Sequence, residues 1–212
     1  MRMLPTKQRL VGWAMLALLL PASRPASAET RNSVAIWNKI AEDAVINSTP
    51  FQNEGLIYMA YVSAAVYDAV VAIEGVYTPY GVGVTAPPGA LTEAAVIEAA
   101  YRTLVHYLPG QMTTLDPLYT AALAAIPGGQ AKADGLSVGQ AGGALVIGLR
   151  TNDGRKALSS SSEFPTLPAG PGGWRLTPTA FAAAQTPWVG NLAPFLVDGV
   201  DRFLPDPPRP LL

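Results

Sequence analysis

From Gln52 to Gly75 the chain reads QNEGLIYMAYVSAAVYDAVVAIEG, its longest run without a helix breaker after Gly55. Asn53 and Glu54 give a polar first turn, Leu56 to Glu74 contains neither Pro nor Gly, and Gly75 is a natural stop. Apolar or small residues fill nearly every face, so this helix has to be surrounded by protein. Ala60, Ser63, Ala64, Ala65, Ala69 and Ala72 permit close neighbours, while the hydroxyls of Tyr58, Tyr61 and Tyr67 need partners. A transmembrane span is the rival, since roughly 18 to 20 apolar residues suffice. Asp68 in mid-run, with Ser63 and three Tyr, argues against lipid.

Four more helical patterns flank it. Ser33 to Asn47 has Val34, Trp37, Ile40, Ala41, Ala44 and Val45 at helical spacing, with Lys39, Glu42 and Asp43 opposite. Residues 76–91, broken by Pro79, Gly81, Gly83, Pro87, Pro88 and Gly89, form a loop. Thr92 then suits an N-cap for a helix over about 93–107, with Ala94, Ile97, Ala100, Tyr101, Leu104 and Val105 as its buried face. Thr113 or Thr114 would cap a helix over about 115–125. The last helix, about 131–150, carries Gly135, Gly139, Gly142, Gly143 and Gly148. Each costs about 1 kcal/mol of helix propensity, which close helix contact would explain. The predicted fold is all-α: about five helices around a central apolar helix (about 53–74), followed by a long Pro-rich extended arm.

The two ends differ from the middle. Met1 to Ala28 has a basic start (Arg2, Lys7, Arg9), an apolar core from Leu10 to Leu20 and a small-residue site at Ala26-Ser27-Ala28, the pattern of a signal peptide. The expected division is a signal peptide over 1–28, a helical bundle over 29–154 and an arm over 155–212, with export to the periplasm or medium. Half of the 20 Pro lie after residue 160. Phe164, Trp174, Phe181, Trp188, Phe195 and Phe203 are too many aromatic anchors for a solvated linker, so the arm should pack on something.

Charge and composition narrow the chemistry. Net charge is −1 and 14% of residues are charged, which leaves no electrostatic footprint for nucleic acid. There is no Cys and one His, so disulfides, thiolate sites and multi-His metal sites are excluded. His106 lacks an apparent catalytic partner and reads as a surface residue. Asp68 reads as a buried acid that bonds Tyr or backbone groups of a neighbouring helix and sets register. Glu42 with Asp43, and Glu93 with Glu98, read as solvated helix faces rather than metal ligands. Asn152-Asp153-Gly154 has too few oxygens for calcium. Gly170, Gly172 and Gly173 match no phosphate loop. No catalytic, cofactor-binding or metal residue is assigned.

Several blocks resemble the bacterial vanadium-dependent haloperoxidases of the type 2 phosphatidic acid phosphatase superfamily: Ala60 to Tyr80, Glu93 to Gly129, Gly139 to Gly154, Pro171 to Pro178 and Ala193 to Pro208. Ser63 and Ala72 depart from the His and Asn expected there. The resemblance implies a mostly helical fold and, in an intact relative, a vanadate or phosphate site built from Lys-x6-Arg-Pro, Pro-Ser-Gly-His and Ser-Arg-x3-Gly-x-His. Such an ion needs several fixed cations and amides. None of these motifs occurs here. Arg202-x6-Arg209-Pro210 mimics the first across a Pro-rich stretch that cannot hold a helix. The expectation is therefore a scaffold half that binds no vanadate alone and is completed by a C-terminal catalytic half or by self-association. The alternative is a stand-alone exported interaction protein without enzymatic activity.

Overall fold

The computed structural model describes residues 32–156, 175–182, 185–203 and 205. The signal-peptide reading, Phe164, Trp174, the glycines at 170, 172 and 173, and Arg209 lie outside them. Five α-helices make an all-α bundle: α1 (Ser33–Asn47), α2 (Gln52–Glu74), α3 (Thr92–Tyr107), α4 (Met112–Ala124) and α5 (Gln130–Leu149). Short 3₁₀ turns follow at Pro109–Gln111, Pro187–Asn191 and Val200–Phe203.

The termini follow capping chemistry in part. The Asn32 side chain accepts from Ala35 N at 3.0 Å and opens α1. Gly75 closes α2 in the left-handed region at φ 67°. Thr92 is not a cap, contrary to expectation. It is the first residue of α3, after an extended Leu91, and its hydroxyl donates to Glu74 at 2.7 Å. Leu91 N instead donates to Ala131 O at 2.9 Å, joining the start of α3 to α5. Thr113 and Thr114 do not cap α4 either. The Pro109–Gln111 turn runs straight into Met112, so α4 begins earlier and Pro117 lies inside it, without an N–H to donate to the preceding turn.

The core is where α2, α3 and α5 meet, with α1 laid across α2 and α3. α2 is the longest helix at 23 residues, roughly 34 Å. It is also the one described helix long and apolar enough to cross a membrane, and half of its most apolar window is buried within the protein. The helix that packs on all four others is α3. Its Ala94, Ala95, Ala99 and Ala100 are fully buried and give neighbours room to approach.

The glycines of α5 explain that approach. A Cβ on Gly135 would lie 2.3 Å from Leu91 O, and one on Gly139 would lie 2.4 Å from Ala95 O. Gly142 faces α2 in the same way, 3.0 Å from Ala65 O, and Gly143 faces Arg102 and Ala99 on α3. Thus α5 sits in the crease between α2 and α3 with backbone against backbone. Gly148 departs from this pattern, because nothing lies within 4 Å of its Cβ position.

Asp68 keeps the α2 exit closed. It is buried, as expected, yet it bonds the loop after its own helix rather than a neighbouring helix. Its two carboxylate oxygens accept from Tyr80 N at 2.6 Å and Gly81 N at 2.9 Å. Glu98 corrects the solvated-face reading. It is 2% exposed, and accepts from Arg102 Nε at 2.5 Å and from the Tyr119 hydroxyl. Glu42 and Asp43 do lie on an exposed face, paired with Lys39.

Candidate functional site

A buried polar cluster forms where the end of α5 meets the arm. Arg150, directly after α5, is 4% exposed. An apolar helix that ends on a charged residue leaves that charge at the edge of the core, where it must find partners. Its Nε donates to Asp153 Oδ2 at 3.0 Å. Its Nη2 donates to Ala193 O at 2.6 Å, and its Nη1 to Pro194 O at 3.3 Å. The Phe195 ring covers the guanidinium, with 4.1 Å from the central carbon to the ring centre.

Asp153 is the second node. It accepts from Arg150, from the Tyr61 hydroxyl and from Arg155 N at 3.0 Å, while its own carbonyl accepts from Ala193 N at 2.6 Å. The turn that reads as Asn-Asp-Gly is thus a buried junction. Gly154 adopts φ 89°, and a Cβ there would lie 2.1 Å from Asn191 O, so only glycine lets the arm approach. Trp188 is buried at 5% exposure and belongs to the core cluster, and Leu192 and Phe195 pack against it. Phe181, by contrast, is 57% exposed.

Tyrosines line the inner side. Tyr61 stacks on Tyr107 at 4.6 Å and leans on Phe195 at 5.8 Å. Burial, then the neighbouring Asp153 carboxylate, holds the Tyr61 phenol protonated well above the ordinary tyrosine range. Arg155 lies over the Tyr58 and Tyr107 rings at 5.5 and 5.2 Å and donates to Tyr58 Oη at 3.2 Å. Tyr58 in turn donates to Glu54, which pairs with Lys156 at 2.7 Å. Burial works to raise the Glu54 pKa, but the bonds from Lys156 and Tyr58 outweigh it and leave it lowered. Beside this group a cleft of about 450 Å³ opens between the α1–α2 and α3–α4 links, with Tyr58, Tyr107, Gln111 and Lys156 on its walls. The Tyr107 hydroxyl and Arg155 Nε are buried without a hydrogen-bond partner among the described residues.

Chemically this is a clamp. A phenol held protonated is a poor base, and Arg150 is bonded to one carboxylate, two carbonyls and, at 3.5 Å, the Tyr80 hydroxyl. His106 is exposed on α3, its ring edge-on to Tyr107 at 4.7 Å. It shares a separate groove of about 490 Å³ with Arg102, whose charge is committed to Glu98. Glu93 and Glu98 stay apart in role, since only Glu98 enters the core. Among the described residues no group of three or more His, Asp or Glu could hold a metal ion. Among the described residues Arg150 and Arg102 are bonded to Asp153 and Glu98, whereas Arg155 keeps one buried N–H without a partner.

No family model, curated protein or solved structure matches the chain.

Sequence reasoning did not single out Arg150, and it read the buried Asp153 and Glu98 as a solvent-side turn and a solvated helix face. A signal was present for each. Arg150 and Asp153 are oppositely charged, three residues apart, at the end of an apolar helix. Glu98 lies four residues before Arg102 among alanines.

Proposed function

We propose that the chain is the N-terminal scaffold half of an exported vanadium haloperoxidase-like or acid phosphatase-like protein, inert by itself. In this reading it supplies a helical bundle and a tethered arm against which a C-terminal catalytic half is seated. The observation that carries the reading is the commitment of Arg150. Among the described residues, the one guanidinium that is almost wholly buried donates to Asp153, Ala193 and Pro194, and so serves the arm. The quoted blocks also overlap the main helices of the bundle. Ala60 to Tyr80 is most of α2 with the loop gripped by Asp68, Glu93 to Gly129 is α3 with α4, and Gly139 to Gly154 is the glycine face of α5 with its terminal turn.

Two measurements test it. Genomic sequence downstream of the Leu212 codon should encode Pro-Ser-Gly-His and Ser-Arg-x3-Gly-x-His, in frame or shifted. Purified chain should lose vanadate on dialysis and fail to brominate a phenolic dye with peroxide, and co-expression with the downstream segment should supply both properties. A stop followed by an unrelated gene, or turnover by the chain alone, would overturn the reading.

A further inference from the structure

The cleft of about 450 Å³ between the α1–α2 and α3–α4 links joins apolar and charged walls. Pro50, Pro109 and the Tyr58 and Tyr107 rings supply the first kind, Glu54 and Lys156 the second. A space of this size suits a small organic molecule.

The charges around it do not cancel. Lys156 is paired with Glu54 at 2.7 Å, and Arg150 with Asp153 at 3.0 Å. Arg155 has no carboxylate partner among the described residues, and its Nη1 donates to the neutral Tyr58 hydroxyl at 3.2 Å. One positive charge is therefore left over. Its guanidinium carbon lies 5.2 Å from the Tyr107 ring centre and 5.5 Å from that of Tyr58, and the two ring centres are 5.8 Å apart. The surplus cation stands over the aromatic pair that forms part of the wall.

Two donors at this spot lack an acceptor. The Tyr107 hydroxyl and Arg155 Nε are buried without a hydrogen-bond partner among the described residues. A buried donor left unpaired is costly, and native proteins meet that need with protein, water or ligand. Burial raises the Tyr107 phenol pKa, so the hydroxyl keeps its proton and stays a donor. What is missing is an acceptor, and beside an unmatched cation an anionic one binds more strongly than a neutral one.

We propose that the cleft binds a small monocarboxylate with an apolar body, whose carboxylate accepts from the Tyr107 hydroxyl under the charge of Arg155 while its body lies against Pro50, Pro109 and Tyr58. One surplus charge matches one negative charge, and Glu54 on the wall opposes a dianion such as hydrogen phosphate. The site goes beyond the scaffold reading and does not depend on it.

Isothermal titration calorimetry of the purified chain with sodium benzoate tests the proposal, with benzamide and inorganic phosphate as comparisons. Benzoate should bind with a Kd of about 1 mM or tighter, and benzamide, which has the same ring without the charge, about tenfold more weakly or worse. Tyr107→Phe removes a hydroxyl with no bond to lose, so its thermal melt by circular dichroism should match the wild type, whereas benzoate affinity should fall about fivefold or more. Arg155→Gln, its fold checked by the same melts, should weaken benzoate about tenfold. Benzoate binding that survives Tyr107→Phe, equal affinity for benzamide, or a preference for phosphate would overturn the proposal. So would no benzoate binding up to about 10 mM, which would make the missing acceptor an internal water.

Discussion

Arg150 Nη2 lies 2.6 Å from the carbonyl oxygen of Ala193, 43 residues further along the chain. That contact joins the end of the last long helix to the arm, and Asp153 repeats it by accepting from Ala193 N. The arm is therefore held by a buried charge that gains its own compensation from the arm. Each would be unstable alone.

Arg150→Leu should destabilise the fold by about 3–5 kcal/mol, since it leaves Asp153 buried with one cation fewer and two carbonyls unpaired. Urea unfolding followed by circular dichroism checks the magnitude. The same variant should become cleavable at Trp188, which is buried in the wild type, whereas cleavage after Phe181 should be fast in both.

Gly139→Ala and Gly148→Ala should have opposite signs. The first puts a methyl group 2.4 Å from Ala95 O, a backbone atom that cannot yield without moving α3, and a loss of roughly 2–3 kcal/mol is expected. The second meets open space and should gain about 0.5–1 kcal/mol from helix propensity. Paired thermal melts decide both.

Asp68→Ala should cost about 2–3 kcal/mol, because two backbone donors then lose a charged acceptor at once. Amide hydrogen exchange at Tyr80 and Gly81 should accelerate in the variant while the centre of α3 stays protected.

Alkaline pH should unfold the protein. Burial, reinforced by Asp153 for Tyr61 and by Glu98 for Tyr119, raises both phenol pKa values. For groups raised above their unfolded value of about 10, the stabilisation is fully present below that pH and is lost as pH climbs toward the folded values. Tyrosinate absorbance should therefore rise in two stages, with the later one coinciding with loss of helical circular dichroism. A single stage with the helices intact would contradict the assignment.

The helices were readable because apolar spacing and Pro or Gly breakers report local structure. Trp37, Ala41, Ala44 and Val45 recur as the buried face of α1, and Gly75 stops α2. The glycines of α5 signalled close packing for a physical reason that holds at four of the five positions, while Gly148 obeyed no such rule. Caps were less readable. Thr92, Thr113 and Thr114 have capping chemistry, but Leu91 N is bonded to Ala131 and the turn at Pro109 nucleates α4 early, so tertiary contact and a neighbouring turn chose the boundaries. The clamp was hidden because its partners lie far apart in the chain. Tyr61 and Asp153 are separated by 92 residues, and Asn-Asp-Gly looks the same whether it turns in water or in a core.

Gly139, Gly143 and Val146 on α5 and Arg150 at its C-cap follow one another at steps of four, three and four residues. Removing one residue between Gly143 and Arg150 would swing the cation about 100° around the helix while the crease above stayed shut. The arm would lose its mooring although its own sequence was untouched. Drift in the composition of residues 186–195 can be absorbed one side chain at a time, but the spacing from crease to cation behaves like the cut of a key.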